Sequence, residues 1–305
     1  MILALLRGKN PLSLGMGFPI LTPMKSFAVI LALSATFLFA PTAPAASFKE
    51  PVGLQLYSLR AQFTQNVPAA LAKVRDFGFK EVELAGTYNL SPEKFKAMLD
   101  EYKLKPVSTH FPFDRYVSDL DNVVKDAKTF GVKFAGCAWI PHEGDFDEKE
   151  CRKAIEVFNK AGEALAKVGI KFFYHVHGFE FQPHAKGTLL DLLMSETNPK
   201  NVSFQMDVLW VVFPGQDPVK LLEKYGKRWE LMHLKDLKKG VATGSLTGKT
   251  DVSNDVALGT GQMDWPAILK AAKKVGIKHY FIEDESPSVE QQIPETLKFM
   301  KGVSW

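Results

Sequence analysis

The chain is poor in cysteine: 305 residues contain only Cys137 and Cys151. Two thiols without paired spacing give neither a disulfide framework nor a thiolate zinc motif. With Cys137 read on a strand and Cys151 early in the next helix, two free buried thiols are expected. A charge excess is also lacking. Thirty-eight basic and 34 acidic residues leave a net charge of +4, with the signs interspersed. Without a basic stripe nothing grips a phosphate backbone, so nucleic acid is not expected as a partner. The apolar run over residues 27–40 falls short of the roughly 20 residues that span a bilayer. The turn after the first strand, Ser58-Leu59-Arg60-Ala61, has no glycine, which removes the phosphate cradle of a dinucleotide-binding sheet. What remains is an ordinary globular composition, 46% apolar and 24% charged, typical of soluble domains.

Residues 1–46 read as a signal peptide with an upstream extension. Met24-Lys25-Ser26 opens a basic start, the apolar run follows, and Ala43-Pro44-Ala45 fits the small-x-small rule for cleavage. The expectation is a periplasmic or secreted protein, with no membrane association after cleavage; an uncleaved anchor is the competing reading.

Residues 47–305 read as one domain. Short β-branched or apolar runs alternate with segments of helical period eight times. Strands are expected over 52–57, 81–84, 106–111, 133–140, 171–177, 202–209, 229–234 and 279–283. Helices are expected over 68–77, 91–102, 118–130, 148–168, 189–196, 217–225, 264–275 and 289–300. Four helices end alike, as Phe77-Gly78-Phe79-Lys80, Phe130-Gly131-Val132-Lys133, Val168-Gly169-Ile170-Lys171 and Val275-Gly276-Ile277-Lys278. Glycine there supplies a left-handed C-cap and the next apolar residue packs back on the helix. Eight strand-helix units in one chain of this length predict a closed (β/α)8 TIM barrel.

In such a barrel the chemistry sits at the C-terminal ends of the strands. The polar residues there are Gln55, Glu83, His110, His175, His177 and Glu180. Beyond them come Gln205, Asp207, His233, Lys235, Asp236, Glu283, Asp284 and Glu285. Period-two alternation puts His175 with His177, Gln205 with Asp207, and His233 with Lys235 on inward faces between apolar neighbours. Burying so many ionisable groups is costly without partners. Mixed carboxylates and imidazoles suit one divalent ion, Mn, Co, Zn, Fe or Mg, and the lack of thiolates argues against structural zinc.

These residues carry a resemblance. The segments Tyr174-His175-Val176-His177-Gly178-Phe179-Glu180-Phe181, Met206-Asp207, His233-Leu234-Lys235-Asp236 and Ile282-Glu283 resemble the sugar phosphate isomerase/epimerase family, of the xylose isomerase-like barrel superfamily. So do Gly53-Leu54-Gln55-Leu56-Tyr57-Ser58-Leu59-Arg60 and Leu258-Gly259-Thr260-Gly261-Gln262-Met263-Asp264-Trp265. The resemblance implies a metal held by Glu180, Asp207, His233 and Glu283. Many relatives carry Glu where His175 stands, so either His175 or Glu180 fills the strand-five corner. Val176 and Gly178 stand where the subgroup often has Asn and Asp.

The implied chemistry is isomerisation or epimerisation. A Lewis acid acidifies the C–H beside a carbonyl, and a carboxylate or imidazole takes the proton to give an enediolate. Expected catalytic residues are Glu180, Glu283, His177 and Lys235, with Lys235 either stabilising an oxyanion or pairing with Asp236. Expected substrate contacts are Gln55, Glu83, His110, His175 and Trp139, and Trp210 and Phe113 are further stacking candidates. Export favours a free sugar or keto-sugar over a sugar phosphate, and a 3-keto-glycoside lyase or hydratase is the alternative on the same barrel. A DNA-repair endonuclease would need more ligands and a basic groove. A non-catalytic sugar-binding barrel would have no use for Asp207, His233 and Glu283. Homo-oligomerisation is left open.

Overall fold

The computed structural model describes residues 46–305, with Pro19 alone upstream. The signal peptide expected over residues 1–46 therefore lies outside the described residues, save for Pro19 and Ala46. Among the described residues no helix is long and apolar enough to cross a membrane.

Eight parallel strands close into a barrel. They are β1 (Val52–Gln55), β2 (Glu81–Leu84), β3 (Lys105–His110), β4 (Phe134–Cys137), β5 (Lys171–His175), β6 (Val202–Asp207), β7 (Trp229–Leu234) and β8 (His279–Ile282). Pairing of β1 with β8, Val52 opposite Tyr280 and Leu54 opposite Ile282, completes the ring. Each strand leads to an outer helix: α1 (Val67–Asp76), α2 (Pro92–Glu101), α3 (Leu120–Phe130), α4 (Glu148–Ala166), α5 (Leu189–Glu196), α6 (Pro218–Tyr225), α7 (Trp265–Val275) and α8 (Val289–Gly302). Ser91 and Asp264 cap α2 and α7 through the backbone N–H groups of Lys94 and Ala267. Gly78, Gly131, Gly169 and Gly276 take positive φ where the helices end.

Several strands stop short of the expected bounds. β5 ends at His175 because the chain leaves the sheet after Val176, turns at Gly178 and enters a 3-10 turn, Phe179–Phe181. Three short helices at the barrel mouth, Arg60–Gln65, Phe113–Ser118 and Val208–Val212, were not expected; five or six residues are too few to show a helical period. The long segment after β7 is partly ordered by an antiparallel pairing of Asp236–Leu237 with Asp255–Val256.

The barrel interior is layered. Val107, Phe134, Phe173, Leu231 and Phe281 form a separate apolar cluster at its floor. Gly136 on β4 makes room for it, since a Cβ there would lie 2.5 Å from the Phe173 ring. The outer layer packs Trp229, Trp265, Tyr174 and Phe172, all fully buried, between strands and helices. Cys137 and Cys151 are free and buried. The apolar floor gives way upward to polar residues, which places the charge at the C-terminal mouth.

Candidate active site

Above the floor lies a polar layer centred on Glu83 of β2, which has no solvent exposure. Its carboxylate accepts from Gln55 Nε2 at 2.6 Å, Ser108 Oγ at 2.6 Å, Gln205 Nε2 at 2.8 Å and His233 Nε2 at 2.5 Å. His110 Nε2 lies 3.1 Å from the same carboxylate. Gln55 and Glu83, expected as substrate contacts, are thus engaged with protein. Gln55 reaches the cavity wall, but its Oε1 also accepts from Tyr57 N. Its layer height, set by the register of neighbouring strands, decides this.

One level higher, His175, Asp207, His233 and Glu283 bring one ligand atom each within 4.8 Å of one another. His233 Nδ1 lies 3.1 Å from Glu283 Oε2 and 3.6 Å from Asp207 Oδ2, and His175 Nε2 lies 3.8 Å from that same Asp207 oxygen. Asp207 Oδ1 caps the short helix after β6 through Trp210 N, while its Oδ2 is buried without a hydrogen-bond partner. His110 forms an overlapping group with His175 and His233.

The group fits a divalent cation on physical grounds. A buried carboxylate oxygen with no partner is costly, and Asp207 Oδ2 is aimed at two imidazoles and a second carboxylate. Electrostatics agree. Burial opposes charge on His233, yet Glu83 and Glu283 outweigh it and hold its proton far above the usual imidazole range. Burial likewise opposes charge on Glu83 and Glu283, but facing His110 and His233, and Lys235 and His233, hold them well below the carboxylate range. A proton on His233 Nδ1 stands where a cation would. His175, by contrast, is stripped of charge by burial and by neighbouring His233, the neutral state a metal ligand needs.

Glu180, expected as ligand and proton carrier, stands outside that group. Its carboxylate accepts from the backbone N–H groups of His177 at 3.0 Å and Gly178 at 2.7 Å, and from the Tyr174 hydroxyl. Burial pushes it up to about 7. Gly178, at positive φ with a would-be Cβ 2.7 Å from Trp210 O, permits the turn that sends Glu180 back onto the backbone. The strand-five corner is filled by His175. Glu180→Gln would set an amide N–H₂ against those donors. It should lower stability by about 1–3 kcal/mol and leave cation uptake unchanged, as thermal unfolding and metal analysis would show.

A cavity of about 570 Å³ opens over the cluster. His110, Phe113, Trp139, His175, His177, Trp210, Lys235 and Glu283 all line it, with the exposed Tyr57 and Lys249 at the rim. His177 sits 5.4 Å from Trp139 and 5.6 Å from Trp210 by ring centroids. Burial pushes its imidazole down to about 3, so the ring is neutral, and its Nδ1 has no partner. Lys235 is 1% exposed and lies over the Trp210 ring. Its Nζ is 2.6 Å from Glu285, 3.5 Å from Glu283 and 3.6 Å from Asp255. Of the two roles open to Lys235, the pair with Asp236 does not form: Asp236 accepts from Gly259 N, Gly261 N and Trp265 Nε1 instead. Adjacent residues on an extended chain point to opposite faces. Nothing in the sequence pattern marks Ser108 or Asp255, and it marks Glu285 only as a polar residue without a role. Asp255 arrives on the long segment after β7, which no local pattern aligns.

A closed parallel barrel with a histidine–carboxylate cluster at the C-terminal mouth defines a (β/α)8 protein with a candidate cation centre. The chain belongs to the xylose isomerase-like TIM barrel family, whose pattern it matches over residues 71–303. Inosose dehydratase of Geobacillus thermodenitrificans is 29% identical over 162 residues, 50% of this chain and 53% of that protein. The chain thus spans about half the length of that relative. The rhizopine catabolism protein MocC of Rhizobium meliloti is 25% identical over 250 residues, 74% of this chain and 76% of its own. Among solved structures, a sugar phosphate isomerase/epimerase of Parabacteroides distasonis superposes with TM-score 0.68 at 24% identity, covering 86% of this chain and 99% of its own. An IolI protein with a bound zinc atom does so with TM-score 0.63 at 15% identity, over 82% and 95%. Both likenesses show the fold.

Proposed function

We propose that this protein is a divalent-cation-dependent enzyme that moves a proton next to the carbonyl of a sugar or a related cyclic polyol ketone. The observation that carries the reading is the buried group of His175, Asp207, His233 and Glu283, with an unpartnered carboxylate oxygen at its centre. These four would hold the cation, which when bound supplies a Lewis acid that polarises a carbonyl. The imidazole nitrogens favour Mn, Co, Zn or Fe over Mg. The segment over residues 24–46 supports action outside the cytoplasm on a free substrate.

This chain's residues divide the remaining work. Glu283, at the cavity floor, presents a carboxylate that takes the proton from carbon. Neutral His177 hydrogen-bonds a substrate hydroxyl, and Trp139 and Trp210 flank it with ring faces suited to the apolar side of a sugar. Return of the proton to the opposite face or the neighbouring carbon gives epimerisation or isomerisation. A second reading is elimination, favoured by the Lys235 ammonium beside Glu283 and by the relatives named inosose dehydratase. There the C–H electron pair forms a C=C bond, the β C–O bond breaks, and the leaving oxygen takes a proton from Lys235.

Incubation in heavy water with a panel of ketoses, inososes and 3-keto-glycosides tests the class. Cation-loaded protein should place deuterium on the carbon beside the carbonyl of at least one substrate, and chelated protein on none. Absence of exchange throughout, with Glu283→Gln matching the wild type in every assay, would contradict it.

A further inference from the structure

We infer that Glu83 is a positioning residue that sets the tautomers of both imidazole ligands, so that a cation meets Nδ1 of His233 and Nε2 of His175. The inference rests on the cation centre proposed above and adds which atoms face it, and why.

An ionised carboxylate can only accept hydrogen bonds, at about four lone-pair positions. Glu83 accepts four hydrogen bonds, from Gln55 Nε2, Ser108 Oγ, Gln205 Nε2 and His233 Nε2, and His110 Nε2 stands 3.1 Å away as a fifth neighbour. The 2.5 Å contact to His233 Nε2 therefore requires the proton on that nitrogen. Nδ1, whose proton a cation would replace, faces Glu283 and Asp207. The second ring is reached through a relay. Gln205 gives its N–H to Glu83 at 2.8 Å, which turns its Oε1 toward His175 Nδ1, also at 2.8 Å. An amide oxygen accepts, so His175 carries its proton on Nδ1 and offers Nε2 toward Asp207 Oδ2. One side chain on β2 thus dictates the ligand atoms of strands β5 and β7 from across the barrel. Carboxylate partners of this kind raise ligand basicity, and their loss typically costs 10–100-fold in metal affinity.

The relay makes a directional prediction. In Glu83→Gln the new amide oxygen still accepts from His233, but its N–H₂ confronts the Gln205 N–H₂. Gln205 must turn over, which presents its N–H to His175 Nδ1 and drives the His175 proton onto Nε2, the ligand atom. The double variant Glu83→Gln/Gln205→Glu restores the pattern. Gln at 83 donates to Glu at 205, whose other oxygen accepts from His175 Nδ1.

Competitive zinc titration and nitrogen–proton correlation spectra of the imidazoles in zinc-loaded full-length protein test this. Wild type should show the proton on Nδ1 of His175 and Nε2 of His233. Glu83→Gln should bind zinc about 10–100-fold more weakly with the His175 proton moved to Nε2, and the double variant should recover most of the loss. A wild-type spectrum with the His175 proton on Nε2 overturns the inference, whether or not any variant folds. So does unchanged zinc affinity in Glu83→Gln, or a double variant no better than the single. Those results leave the cation centre standing. A wild type that takes up no zinc, manganese or cobalt overturns the centre and the inference together.

Discussion

Asp207→Asn is expected to abolish cation binding and, at the same time, to stabilise the cation-free protein. The cap on the helix after β6 survives, because Asn keeps the Oδ1 that accepts from Trp210 N. The oxygen lost is Oδ2, which is buried without a partner, and burial already raises the Asp207 carboxyl above its usual range. An amide N–H₂ in its place can donate toward His175 Nε2, 3.8 Å away in the parent, while the His233 Nδ1 proton keeps its nearer partner, Glu283 at 3.1 Å. The gain in the chelated protein should be about 1–2 kcal/mol, the order of one unsatisfied buried group. The loss appears when cation is added. Wild type should gain about 2.7 kcal/mol at a cation concentration 100 times its dissociation constant, and the variant nothing. Thermal unfolding in chelator and in added manganese or zinc reads both effects. A variant whose stability still rises with cation would remove Asp207 from the centre.

The second large effect is expected from Lys235→Met. Asp255, Glu283 and Glu285 all lie within 3.6 Å of this one ammonium. Removing one partner of a buried ion cluster leaves uncompensated charge and costs about 3–5 kcal/mol. Methionine fills much of the lysine stem's volume against Trp210, so the loss is chiefly electrostatic. Its pH dependence follows from Asp255, which burial pushes from 3.8 to about 7 even with Lys235 present. A carboxyl raised on folding binds more protons in the native state. Its contribution is complete below the unfolded value and is lost as pH rises through the folded one. Without Lys235 the folded value rises further. The variant should therefore approach the wild type near about pH 5 and fall furthest behind it near about pH 8. Denaturant unfolding across that range checks it, and a constant deficit would mean packing, not charge, is what Lys235 supplies.

The barrel was legible because its signals are local and repeated. Apolar runs, helix caps at Ser91 and Asp264, and glycines at four helix ends each report their own element. The cluster was legible in part for the same reason: alternation along β6, β7 and β8 sends Asp207, His233 and Glu283 inward. What sequence could not show is direction after a strand ends and height within the barrel. Glu180 and His175 are five residues apart, and only the turn at Gly178 decides that one caps backbone N–H groups while the other enters the cluster. Glu83 looks like any polar residue at a strand end. Its place in a buried layer beneath the cavity depends on the register between β2 and β3, which shifts after Val82. Lys235 and Asp236 are neighbours in sequence and strangers in space, whereas Asp255 and Glu285 reach Lys235 from distant segments.

The position of a bound cation is the most direct test. Anomalous diffraction from crystals grown with manganese or zinc should give one strong peak per chain, contacted by His175 Nε2, Asp207, His233 Nδ1 and Glu283. A peak bound by Glu180, or no peak among these four side chains at saturating cation, would contradict it.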